Sequence, residues 1–132
     1  MHLTDAYKTE GAAELLYRLL QERPPEANIS HRKMPTWAEH LAFFNSKPYL
    51  AWYIIHADDE PVGACYLTHM REVGLFVLEK HRSKGLGGKA LDALAQKHPG
   101  RLLANIAPGN DGSQKFFEQR GFKLIQHTYE LD

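Results

Sequence analysis

Between residues 72 and 94 the chain reads EVGLFVL, EKHRSKG, LGGKALDAL: an apolar run, a basic loop, three glycines within four positions (Gly85, Gly87, Gly88), and an alanine- and leucine-rich stripe. The β-branched and aromatic residues favour a strand over 72–78. From Leu86 on, Ala90, Leu91, Ala93 and Leu94 recur at the spacing of one helix face, Lys97 and His98 complement the negative end of its dipole, and Pro99-Gly100 stops it. A strand must therefore hand over to a helix through a loop rich in glycine and positive charge. Backbone N–H groups at a helix start have no internal partners, the dipole there is positive, and glycine lets a ligand approach the main chain closely. Arg82, Lys84 and Lys89 add charge. Such a loop either cradles a phosphate or is a flexible helix start with solvated lysines.

The remaining elements follow from the same patterning. Leu15, Leu16, Leu19 and Leu20 give a first helix over 10–22, ended by RPP at 23–25. After a polar loop, TWAEHLAFFNS carries a capping-box pattern at Thr36 and Glu39 and one apolar face at Trp37, Leu41 and Phe44, which predicts a second helix. YLAWYIIHA, the turn signal DDEP and VGACYL predict a β-hairpin over 49–68. RLLANIA is a further strand, Asn110 or Asp111 caps a short helix GSQKFFEQR, and Gly121 ends it in the left-handed conformation. LIQHTYEL closes the chain as a strand.

Composition narrows the function. The chain of 132 residues suits one domain, 1–132, with a single active or binding surface. Lys plus Arg and Asp plus Glu number 16 each, so no net charge draws the chain to nucleic acid or to a membrane surface. No apolar segment reaches the length of a membrane span, and a cytoplasmic location is expected. Cys65 is the one cysteine, which rules out an internal disulfide and a cysteine zinc cluster and predicts a small buried apolar group in a strand. The eight histidines lack metal-ligand spacing, and no metal is expected.

The identity of the phosphate ligand depends on spacing. A Walker A loop needs a glycine where Ser83 stands and a Ser or Thr where Ala90 stands. Gly85, Gly87 and Ala90 satisfy G-x-G-x-x-A, but EKHRSK separates them from the strand and the acidic partner some 20 residues on is missing, with Asn105 in that region. A third pattern fits. VLEKHRSKGLG resembles the central motif of the GNAT superfamily of acyl-CoA-dependent N-acyltransferases, a strand ending in Val followed by R/Q-x-x-G-x-G/A, with Arg82, Gly85 and Gly87 at those positions and Val77 at the usual distance ahead. NDGSQKFFEQRGF resembles the second motif, N-x-x-A/S-x-x-L/F-Y-x-x-x-G-F, through Asn110, Ser113, Phe116, Gly121 and Phe122. Together the two cover residues 72–122.

The resemblance implies an α/β fold: a mixed, largely antiparallel central sheet with one splayed parallel pair, flanked by helices. It implies acetyl-CoA as co-substrate, with the pantetheine arm lying against Leu75, Phe76 and Val77. Backbone N–H groups from Ser83 through Lys84, Gly85, Leu86 and Gly87 to Gly88 would hold the pyrophosphate, beside the charges of Arg82 and Lys89. Asn110 either contacts the cofactor or only caps its helix, and Phe117 flanks the arm.

The chemistry implied is attack of an amine on the thioester, with a backbone N–H near Phe76 or Val77 facing the oxyanion. The family's acidic tyrosine falls at Phe117, and the base used by some protein acetyltransferases of the family falls at Asn105; neither residue titrates. The substitutes are Glu72, either a base acting directly or through water or an exposed strand-end charge, and Tyr129, either a proton donor or a packing residue. His69 and His127 lie in segments that could approach the cleft and are otherwise scattered surface histidines.

WAEHLAFF and E-x-G-L-F at 72–76 look like acetyltransferases acting on amino-sugar nucleotides, with His31, Arg32 and Lys33 toward an anionic nucleotide. The expected acceptor is a small-molecule amine of that kind; the alternatives are a protein or peptide acceptor, or an acyl-CoA-binding regulatory module without catalysis. A single closing strand, where the family commonly has two, leaves a sheet edge for a homodimer partner.

Overall fold

The computed structural model describes residues 1–22 and 34–132. Five strands form one sheet in chain order: His2–Asp5 (β1), Ala51–Ala57 (β2), Glu60–Leu67 (β3), Glu72–Val77 (β4) and Leu103–Ala104 (β5). Each of β1 to β4 runs antiparallel to its neighbour, and β5 is parallel to β4. The helices are Ala12–Glu22 (α1), Trp37–Asn45 (α2), Leu86–Lys97 (α3) and Asp111–Gln119 (α4).

Local sequence accounts for most boundaries. The β2–β3 hairpin turns on Asp58 and Asp59, at φ of +51° and +61°; short acidic side chains tolerate this left-handed geometry, which matches the twist of two paired strands. Thr36 caps α2 with the reciprocal Glu39 bond of a capping box. Asn110 caps α4 through Oδ1, which accepts from Ser113 N at 3.2 Å, and Gly121 follows α4 at φ +92°.

Side-chain alternation sends the sheet's two faces into separate cores. On one face Trp52, Ile54 and Ala64 pack with Leu16 and Leu19 of α1 and Phe44 of α2. On the other, Ile55, Val62, Cys65, Leu67 and Val73 pack with Leu86, Ala90, Leu91 and Leu94 of α3. Burying each such leucine contributes about 1.5–3 kcal/mol. Cys65 is fully buried, and that burial pushes its thiol pKa up to about 12, so it behaves as the small apolar strand residue expected.

The parallel pair is short. β4 and β5 are in register only at Glu72↔Leu103 and Val73↔Ala104, and among the described residues Gly74 to Val77 have no strand on that side. The sheet is open there, as the family resemblance implies.

One strand goes unread in the sequence, and two expectations change. β1 escapes a reading by pattern because its four residues, HLTD, carry too little periodicity; it is held by pairing with β2 from His2↔His56 to Asp5↔Tyr53. RLLANIA is a strand only at Leu103–Ala104. The closing strand predicted from LIQHTYEL does not form: residues 122–132 belong to no strand, and Leu124, Ile125, Tyr129 and Leu131 are 57–100% exposed. A strand needs a partner edge, and the two-residue ladder of β5 offers this alternating segment almost nothing to pair with. His31, Arg32 and Lys33 lie outside the described residues.

Candidate active site

The open side of β4 exposes a definite set of main-chain groups. Glu72 N–H donates to Thr68 Oγ1 at 3.0 Å and Glu72 O accepts from Thr68 N at 2.8 Å, while Leu78 N–H donates to Val62 O at 2.8 Å. Both residues thus turn their backbone toward β3. Direction alternates along a strand, so Gly74 and Phe76 also face β3, whereas Leu75 and Val77 face the gap. The Val77 carbonyl accepts Arg82 Nε at 3.0 Å, which draws the guanidinium back over the strand end. Leu75 N–H, Leu75 C=O and Val77 N–H are therefore the groups that a ligand in the gap would meet. The expected role of Phe76 changes accordingly: its N–H belongs to the β3 ladder, so of the two amides expected near an oxyanion only that of Val77 lies on the gap, and the Phe76 ring forms wall.

The gap is a cavity of about 440 Å³, walled by β4, by Asn105, Ile106 and Ala107 beyond β5, and by Asn110, Ser113 and Phe117 of α4 and its cap. Beyond Val77 comes the loop. Ser83 and Gly85 take φ of +65° and +75°, and Gly85 is the α3 N-cap with no side-chain capping bond. Turns with left-handed residues gather successive N–H groups into an anion-binding concavity, and the dipole of α3 adds to it. Ser83, Lys84, Gly85 and Lys89 are exposed and lie outside the cavity wall, at its Val77 end.

The glycines have different reasons. At Gly85 the backbone conformation is the constraint, because nothing lies within 4 Å of where a Cβ would stand. At Gly88 a Cβ would overlap the Arg120 guanidinium, which is paired with Asp92 at 2.9 Å and lies over the Phe116 ring. That glycine lets α4 close against α3, and only its amide is available to a ligand.

At the other end of β4, Glu72 lines the cavity with its carboxylate held on both oxygens: Thr68 Oγ1 donates to Oε1 at 3.3 Å and Asn105 Nδ2 donates to Oε2. At roughly 3.3 Å per residue, β4 puts Glu72 about 16 Å from Val77, the reach of an extended arm leading from the loop. Asn105 has no titrating group, but it orients one. Glu72, Gly74 and Phe76 share the sheet face that carries α1 and α2.

On that face a second cavity of about 280 Å³ has aromatic walls, with Phe43, Tyr49, Trp52, Tyr66 and Phe76 among its lining residues and Glu39 as its carboxylate. The Thr36 backbone N–H, then its hydroxyl, hold the Glu39 carboxyl below its ordinary range. His40 is 3% exposed and donates Nε2 to Ala13 O at 2.8 Å, so it serves the fold. Leu19, Tyr49, Tyr66 and Phe76 line both cavities, which therefore share a wall.

Leu75, Phe76, Val77, Arg82, Asn110, Phe117 and Glu72 thus come together around one cleft. Tyr129 does not: it is 89% exposed, on a segment that forms no strand, and lines neither cavity. His127 shares that segment and is exposed, and so is His69. Sequence reasoning missed Thr68 and Tyr66. The available signal was Gly74, since a glycine inside a strand pattern marks a close approach.

The comparisons agree with the geometry. The family model described as the acetyltransferase (GNAT) family matches residues 13–122. No curated protein sequence matches the chain. Among solved structures, an acetyltransferase from Thermus thermophilus is 25% identical, with 96% of this chain and 90% of that one covered and a TM-score of 0.71. The yncA protein of Salmonella typhimurium, solved with acetyl-CoA, is 19% identical over 92% of this chain and 77% of its own, TM-score 0.66. The aminoglycoside N-acetyltransferase AAC(6')-Iy, solved with CoA, is 19% identical over 99% and 91%, TM-score 0.69. With its open β4 edge, its glycine loop and a match across both motifs, the chain belongs to the acetyltransferase (GNAT) family, whose members use acetyl-CoA as co-substrate.

Proposed function

We propose that this protein transfers the acetyl group of acetyl-CoA to the primary amine of a small acceptor seated in the aromatic cavity. The observation that carries this reading is the wall that the two cavities share at Tyr66 and Phe76, on the face that also bears Glu72. The pyrophosphate binds the amides of Ser83 to Gly88, with the charges of Arg82, Lys84 and Lys89 around it. The pantetheine arm bonds to Leu75 and Val77 and passes Asn110 and Phe117. Glu72 takes a proton from the amine, directly or through water, as the nitrogen attacks, and the Leu75 N–H, the gap-facing amide nearer Glu72, faces the developing oxyanion.

A volume of 280 Å³ lies at the small end for a ligand pocket, typically ~300–1,000 Å³. Aromatic faces and the Glu39 carboxylate suit a protonated amine on a compact apolar body. The favoured acceptor is therefore a small aromatic or aliphatic amine. Release of CoA thiol, measured with such amines, amino sugars, sugar nucleotides and peptides, tests the reading. Turnover confined to sugar nucleotides or peptides would overturn the acceptor, and CoA binding without turnover of any amine would favour a regulatory module.

The same reading extends to a cytoplasmic homodimer. Among the described residues no helix is long and apolar enough to cross a membrane, and the exposed apolar residues of segment 124–131, together with the short edge strand β5, suit a partner subunit. Sedimentation that shows only monomer over a wide concentration range would remove the dimer.

A further inference from the structure

Gly74 and Tyr66 stand opposite one another in the β3–β4 register. A Cβ at position 74 would overlap Cε2 and Cζ of Tyr66 and come within 2.6 Å of its hydroxyl. The phenol therefore lies over the β4 backbone, in space that any other residue at 74 would fill. Its ring is fixed there by stacking on Tyr49, with centroids 4.0 Å apart and planes 3° from parallel. Tyr66 lines both cavities, and its hydroxyl has no hydrogen-bond partner among the described residues. Glu72 is two residues from Gly74 on the same sheet face, and Leu75, whose backbone faces the gap, is next to Gly74.

We infer that Tyr66 is the proton donor to the departing thiolate, delivered across β4 by the missing side chain of Gly74. The inference rests on the proposed transfer to an amine. The amine, having lost its ammonium proton to solvent, bonds through nitrogen to the thioester carbonyl carbon and gives a second proton to Glu72. The carbon–sulfur bond breaks, and its electron pair leaves on sulfur. The Tyr66 hydroxyl protonates that sulfur to free the thiol, and the phenolate recovers a proton through solvent from Glu72. Phe117, at the family's tyrosine position, has no proton to give. Thr68 Oγ1, which also lines the cleft, is already engaged with Glu72 and with Met70 N.

Tyr66→Phe keeps the ring and its stack on Tyr49. It should lower kcat by about 10²-fold, at the low end of what a positioned proton donor supplies, leave the amine KM unchanged and alter the alkaline limb of the pH–rate profile. Gly74→Ala, which displaces the ring, should reproduce the kcat loss with the phenol still present. A binding measurement separates this role from packing. Above pH ~8.5, where a cysteine-like thiol ionises, wild type should prefer free CoA over desulfo-CoA increasingly with pH, and Tyr66→Phe should lose that trend. If wild type binds CoA but the preference and kcat survive in Tyr66→Phe, the donor assignment is overturned while the transferase reading stands. If wild type binds neither ligand, both fail.

Discussion

At the Val77 end of β4, seven successive residues, Arg82 to Gly88, supply the charge, the left-handed turns and the uncapped helix start that suit a diphosphate. At the Glu72 end, one carboxylate depends on Thr68 and on Asn105, 33 residues away, and the neighbouring phenol comes from β3 by way of a glycine on β4. The first end is a property of the local chain; the second exists only once the sheet is assembled. Substitutions at the loop should therefore act on cofactor affinity, and substitutions at the far end on the rate of transfer.

The largest expected effect lies at the Glu72 end. Glu72→Gln keeps the size of the side chain and removes the base, so kcat should fall by roughly 10²–10⁴-fold while calorimetry finds CoA affinity unchanged. A shared fall in affinity would mean the two ends are not separable. Next comes Gly85→Val, which puts a branched side chain at φ +75°. Strain of that kind should weaken CoA binding on the order of 10- to 100-fold and leave the amine KM alone.

Gly88→Ala sharpens the comparison within the loop. Its Cβ pushes the Arg120 guanidinium off α3 and loosens the pair with Asp92, an exposed ion pair. Stability should drop by less than about 1 kcal/mol, with CoA affinity intact, because the amide remains. A large loss of affinity would show that the glycine itself forms the cradle wall.

The smallest effect is a control away from both ends. His98 follows α3, with its Nε2 bound to Tyr53 Oη at 2.7 Å; burial first, then the charges of Arg71 and Lys97, hold its pKa below 6.5. The unfolded chain thus takes up a proton there before the folded one does. Stability is fully present above about pH 6.5 and declines as the pH falls through that value toward the folded pKa. His56, also lowered, acts with the same sign. The thermal midpoint should be lower at about pH 5.5 than at pH 7.5, and less so in His98→Asn.

What was legible in the sequence divides along the same line. The glycine loop, Asn110 and Gly121 could be read directly because spacing and backbone chemistry are local properties. Glu72 was legible as a residue, but its partners were not: Asn105 counted as a missing base, and only the β4–β5 pairing turns it toward Glu72. Tyr129 stands outside the cleft because alternation alone cannot supply the neighbouring edge that makes a strand. Tyr66 was hidden for the opposite reason, since its place depends on the side chain that Gly74 lacks.

Amide hydrogen exchange with and without acetyl-CoA tests the central claim most directly. Leu75, Val77 and the amides from Ser83 to Gly88 should gain protection on binding, while Gly74 and Phe76, already paired to β3, should change little. Protection centred elsewhere, or none at saturating acetyl-CoA, would contradict it.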